Sequence, residues 1–310
     1  APVTDQWMAD GPRIGPLGDA TRDLSLIEAP TPRDEALAIA CRMRAALDEG
    51  KPVALISPDR KLTRMVTAAL DRWGILPDDS AGRPLPLTAP GLLLLHVASA
   101  MGAPLTAEGL LILLKHPLTH SGEGRAEHTL WTRDLELMIR RKGMAFVDFD
   151  LIANWAAARD DSAEAGRWAA WLRATLTPLA EARDMPLSER LSVHVAIAEA
   201  LARGSQAAEG SGALWQEDAG EVAQETLAAF ASDAEAGGSP GLPAYRAMFR
   251  AVLEGGQVRR SVGARRDVTI WGTLEARVHG APLVIIGGLN EGQWPDLPAA
   301  DPWLNRPMRL

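Results

Sequence analysis

The sequence predicts an α/β protein, with one parallel-sheet domain interrupted by a large all-helical insertion. Three observations predict it. Val268–Trp271 and Leu283–Gly287 are short apolar, β-branched runs, the pattern of strands buried on both faces of a parallel sheet. From about Ala89 to Gly255 the pattern is helical throughout. The α/β pieces on either side are each too small to bury a sheet alone, so they are expected to meet in one sheet. The expected organisation is an irregular segment 1–32, a split sheet domain 33–88 plus 256–310, and a helical insertion 89–255.

Each element has its own signal. Ala1–Pro32 is rich in Pro, Gly and Asp without periodicity and reads as a tail or surface-hugging segment. Pro30-Thr-Pro-Arg-Asp34 launches a helix to about Glu49, stopped by Gly50. Val53–Ser57 is a short buried strand, and Pro58-Asp59 a turn with Asp59 as N-cap. In Lys61–Trp73, the residues Leu62, Met65, Val66, Ala69, Leu70 and Trp73 fall on one helical face. Helices then follow at Gly91–Met101, Ala107–Leu114, Arg125–Arg141, Leu151–Arg159, Ala163–Arg183, Leu187–Arg203, Trp215–Ala236 and Ala244–Gly255. The Gly/Ser/Glu-rich joints Gly204–Gly212 and Gly237–Gly241 separate the last of them.

Composition bounds the function. The most apolar run, Gly91–Leu95, is too short to cross a bilayer, and Ala1–Pro16 lacks the apolar core of a signal peptide. The single cysteine, Cys41, excludes an internal disulfide, a cysteine-rich zinc site and an iron–sulfur cluster within this chain. Its spacing from Leu37 predicts a buried, inert thiol, and a cytoplasmic origin fits. A net charge of -8 argues against a free-standing nucleic-acid-binding domain. The chain shows no terminal element at either end, so a longer parent protein is expected.

In parallel sheets, chemistry sits in the loops beyond the carboxyl ends of the strands. Here those are the linker Gly272–Pro282 and the turn Gly288–Pro295. The turn reads Gly288-Leu-Asn-Glu-Gly-Gln-Trp-Pro295, after the apolar run Leu283–Gly287. Together with the insertion, this resembles the second RecA-like domain of UvrD/RecB-type DNA helicases, a P-loop NTPase-like fold. Those proteins carry Thr-x-His-x-x-Lys-Gly-Leu-Glu, an apolar strand, then Gly-Leu-x-Glu-Gly-x-Phe-Pro.

The functional half of that motif departs from the pattern. Gly272 stands at the threonine position, Leu274 at the histidine, and Arg277 and Val278 at the lysine and glycine. Ser57 stands where the upstream strand carries a nucleotide-contacting arginine. A kept scaffold with altered chemistry is similar to the B-subunit family of AddAB-type helicase–nucleases, which process double-strand breaks. The likeness covers roughly Arg33–Leu310. Leu110–Leu118 is also similar to a helix of that family's insertion.

The resemblance implies a vestigial helicase domain of DNA repair and recombination. It would handle single-stranded DNA or break ends, assemble with an AddA-like helicase subunit, and hydrolyse no ATP of its own. It would share in reading a recombination hot spot. It also implies a RecA-like domain before this chain and, after it, a nuclease domain with an iron–sulfur staple. ATP, magnesium and the iron–sulfur cluster belong to the parent family, and this fragment is expected to hold no cofactor or metal. Two alternatives stay open: an active ATP-dependent helicase fragment, and a helical module that binds only proteins.

Candidate residues follow. Gly287, Gly288, Asn290, Glu291 and Gly292 form a glycine-rich stretch without the Gly-Lys-Ser/Thr end of a phosphate loop, so they read as a tight turn. Thr273, Arg277 and His279 lie in the linker that contacts DNA and nucleotide in active relatives. Arg277 keeps a cation suited to a backbone phosphate; its plain reading is a solvent-exposed arginine, paired with Glu275 or with nothing. Trp294 is suited to stacking on a base, although a packed anchor is the stronger reading. Arg259-Arg260 and Arg265-Arg266 flank the return into the sheet and are the better phosphate candidates. Arg140-Arg141-Lys142 ends a helix, where cations complement the dipole. Pro117 separates His116 from His120, so these two and His128 are expected to form no metal site. Asp148, Asp150, Glu217 and Asp218 have no spacing that demands paired acid–base work. No catalytic residue is assigned.

Overall fold

A computed structural model describes residues 9–13, 15, 18–19, 21–80, 82–182, 185–259 and 265–294. The protein is α/β, with a four-stranded sheet and a large set of helices. It divides into two compact units, 1–78 with 265–310, and 79–264.

In the first unit a 3₁₀ turn (Gly11–Arg13) precedes helix α1 (Pro32–Asp48). Thr31 Oγ accepts the Asp34 N–H at 3.2 Å, and Pro32 needs no partner in the first turn. Strand β1 (Val53–Ile56) follows, then helix α2 (Arg60–Asp71). Asp59 caps α2, its carboxylate accepting from Lys61 N at 2.7 Å and Leu62 N at 3.3 Å. Strand β2 (Pro77–Asp79) comes next, and β5 (Arg265–Trp271) and β6 (Leu283–Ile286) complete the sheet in the order β2-β5-β1-β6. β1 runs parallel to both of its neighbours, pairing Leu55 with Ile270 on one side and with Ile285 on the other. Two chain segments far apart in sequence therefore share one sheet.

Val53, Leu55, Val268 and Ile270 are buried with Ile39, Met43, Leu62, Val66 and Leu70 of the two helices, and Leu283 and Ile285 pack against this cluster. This corrects two expectations. β6 is an edge strand rather than one buried on both faces, and Val284 and Ile286 are 42% and 50% exposed. Cys41 is exposed rather than buried. α1 buries the stripe Ala36, Ile39, Ala40, Met43 and Ala46, which turns Leu37 and Cys41 outward.

The second unit contains α3 (Ala89–Ala100), α4 (Ala107–Leu114), α5 (Arg125–Lys142), α6 (Phe149–Ala157), α7 (Ser162–Glu181), α8 (Leu187–Arg203), α9 (Glu217–Asp233) and α10 (Leu242–Glu254). The short antiparallel strands β3 (Arg83–Pro84) and β4 (Gln257–Val258) join its two ends, so residues 82–88 and 256–259 lie with the helices. Large side chains such as Trp168, Tyr245, Phe249 and Leu94 fill one continuous core. His194 ties three helices together at full burial. Its Nε2–H donates to Leu94 O at 2.8 Å, and its Nδ1 accepts the Tyr245 hydroxyl at 2.7 Å. A carbonyl can only accept, which fixes the tautomer. Among the described residues, no helix is long and apolar enough to cross a membrane.

Candidate functional site

The carboxyl ends of β1, β5 and β6 present three loops side by side, 57–59, 272–279 and 287–294. Ser57 N donates to Trp271 O at 3.2 Å, and Gly287 N to Ile56 O at 3.0 Å, so the ladders run on into the loops. The Ser57 hydroxyl accepts from Asp59 N at 3.1 Å. α1 and α2 both begin on this side of the sheet, which brings Thr31, Asp34, Glu35 and Asp59 towards it.

The motif turn is held by the sheet below it. Gly287 is buried, and a Cβ there would lie 3.0 Å from Ile39 Cδ1, 3.0 Å from Leu62 Cδ2 and 3.2 Å from Leu55 Cδ1. Only hydrogen fits without moving the core. Gly288 has φ +77° and Gly292 φ +80°, both in the left-handed region expected of a tight turn. The Gly288 N–H donates to Glu35 Oε1 at 2.7 Å, across 253 residues of sequence. Asn290 O receives the N–H groups of Gln293 and Trp294 at 3.0 Å each, while Asn290 and Glu291 project to solvent. Trp294 is half-buried, and Pro295 lies outside the described residues.

In the linker, a 3₁₀ turn over Glu275–Arg277 leaves Thr273, Arg277 and His279 exposed. Arg277 makes no ion pair with a described residue. The His279 ring lies 5.4 Å from that of Trp271. Where the helicase motif has threonine, Gly272 faces Glu275, whose Oε2 would lie 2.6 Å from a Cβ. Three large apolar side chains of the loops are exposed: Leu274 at 69%, Val278 at 80% and Leu289 at 59%.

The flanking arginines differ from one another. Arg265 is spent on a bidentate pair with Asp267 at 3.0 and 2.6 Å, which holds the Asp267 carboxyl below its usual range. Arg266 is exposed. Arg259 is exposed in the helical unit, and Arg260 lies outside the described residues. Arg140, at the end of α5, is bound to Glu136 at 2.7 Å.

The histidines form no ligand set. His120 and His128 do come together, with rings stacked 4.9 Å apart. His128 has no lone pair to offer, because its Nε2–H donates to Leu114 O and its Nδ1 accepts from Trp168. Among the described residues no three His, Cys, Asp or Glu side chains are placed to hold a metal.

Glu35 is the residue that sequence reasoning missed. Its sole signal was an acidic side chain in the first turn of a capped helix. It changes what the turn can do. A nucleotide's phosphates need free backbone N–H groups and a lysine. Here a carboxylate already takes the Gly288 N–H, another takes the first N–H groups of α2, and no lysine stands in the turn. The turn over 288–292 therefore lacks the free N–H groups and lysine of a phosphate loop. No protein-family model matches the chain, and no curated protein matches it.

Proposed function

We propose that the first unit is an inactivated RecA-like helicase domain of UvrD/RecB type that guides DNA without hydrolysing ATP. The particular protein we infer is AddB, the B subunit of an AddAB-type helicase–nuclease, of which this chain is a part. In this reading it works in the cytoplasm on single-stranded DNA at double-strand breaks, beside an AddA-like motor subunit. The carrying observation is the Gly288 N–H bonded to Glu35 at the end of β6, beside Ser57. The turn keeps the glycines that the scaffold requires, its Gly288 N–H is taken by the Glu35 carboxylate, and Ser57 stands where active relatives carry an arginine. Arg277, exposed and without an ion partner among the described residues, supports the DNA half of the reading.

A second reading is favoured by a separate observation. Leu274, Val278 and Leu289 are exposed apolar side chains in the loops at one end of the sheet. Such side chains suit a protein partner better than a polyanion. The loops would then serve subunit docking first and DNA second.

Titration with a fluorescent ATP analogue and magnesium tests the reading. No saturable binding is expected. Saturable binding, lost in Gly288→Pro, would favour the active-helicase alternative.

A further inference from the structure

The helical unit carries a basic groove that the sequence did not reveal. It has a volume of about 310 Å³ and lies where the end of α4 meets α5. Arg125, His128, Thr132 and Glu136 follow one another at helical spacing on α5, so they share a face, and Lys115 and Arg133 complete the wall.

The hydrogen-bond inventory separates what is used from what is free. Glu136 is taken by Lys115 at 2.5 Å and Arg140 at 2.7 Å, and these bonds hold its carboxyl below the usual range. Arg125 gives one N–H to Thr119 O at 2.5 Å and keeps the rest of its fork. Arg133 makes no ion pair or hydrogen bond with a described residue. His128, 2% exposed, has both nitrogens committed and is neutral. Thr132 is 4% exposed, and its hydroxyl has no partner. A buried hydroxyl without a partner costs stability that a bound acceptor would recover.

We propose that this groove binds a phosphate group, with Arg125 and Arg133 around it, the Lys115–Glu136 pair at its edge, and the Thr132 hydroxyl donating to one oxygen. Lys115 is held by Glu136, which leaves Arg125 and Arg133 as the uncompensated cations of the lining, a balance that disfavours a metal ion and favours an oxyanion. Arginine forks match phosphate geometry. The phosphate belongs either to a nucleic-acid backbone or to a small phosphorylated compound. The site stands independently of the DNA reading for the loops of the sheet.

The test is calorimetric titration of the whole chain with inorganic phosphate, repeated with a short oligothymidylate present. Saturable binding is expected, weakened roughly tenfold or more by Arg133→Ala and by Thr132→Val. Arg133 is exposed and Thr132→Val keeps the side-chain shape, so both variants should fold, as circular dichroism checks. Arg141→Ala removes an equal charge from the same helix outside the groove and should leave affinity unchanged. Displacement of phosphate by the oligonucleotide identifies a nucleic-acid backbone as the source. Retention of phosphate identifies a small compound. Absence of saturable binding, or equal weakening by Arg141→Ala, overturns the proposal.

Discussion

Replacing Gly287 by alanine adds a single methyl group at the point where the sheet meets both helices. Three side-chain carbons would sit 3.0, 3.0 and 3.2 Å from it, closer than ordinary van der Waals contact. All three belong to buried residues, Ile39, Leu62 and Leu55, which are 7%, 1% and 0% exposed. They can yield only by leaving their rotamers or by moving the helices. Overpacking of this kind costs about 1–3 kcal/mol. Gly287 is not in the left-handed region, so the backbone adds no strain of its own. The cost should therefore fall when a contacting carbon is removed. Ile39→Val deletes Cδ1, and in that background Gly287→Ala should recover roughly 0.5–1 kcal/mol. Urea titration with hydrogen exchange read on residues 53–56 confines the measurement to this unit. Full additivity of the two substitutions would refute the packing argument.

Two further outcomes are expected. Burial pushes His128 and His194 down to about 4. The unfolded chain then binds protons that the folded chain refuses, so stability is complete above about pH 6.5 and is lost as pH falls towards 4, by up to about 3 kcal/mol per histidine. An unchanged urea midpoint between neutral and acidic pH would contradict this. Asp59→Ala removes the acceptor of two N–H groups at the start of α2 and should lower stability by about 1 kcal/mol, with Asp59→Asn retaining most of it; equal loss in both variants, again by urea titration, would argue against capping.

Much of the fold was legible because its signals are local. Thr31-Pro32 and Asp59 announce α1 and α2, and the 3.6-residue spacing from Leu62 to Leu70 marks the buried face. The β-branched runs gave β5 and β6, but composition carries no information about position in a sheet. An edge strand and a central strand can have the same residues, which is why the exposure of Val284 and Ile286 was not read. β3 and β4 are two residues each, one of them Pro84, and exist only because distant segments meet. The spacing of Cys41 from Leu37 misleads because Leu37 itself lies off the buried stripe of α1. At the site, glycines and cations were visible as residue types, but their bonds were not. That Glu35 reaches Gly288, and that Arg265 is spent on Asp267, are facts of tertiary structure. The groove at Arg125, Thr132 and Arg133 was hidden for the same reason, since its polar residues read as an ordinary solvated helix face.

Fluorescence anisotropy of labelled single-stranded DNA, titrated with this chain at two salt concentrations, tests the central claim most directly. The account predicts salt-sensitive binding that needs no nucleotide. Arg277→Ala should weaken it and lower the salt slope by about 1, while Arg265→Ala should change it less, because that guanidinium is already held by Asp267. Absence of binding at low salt, or binding that appears only with ATP and magnesium, would contradict it.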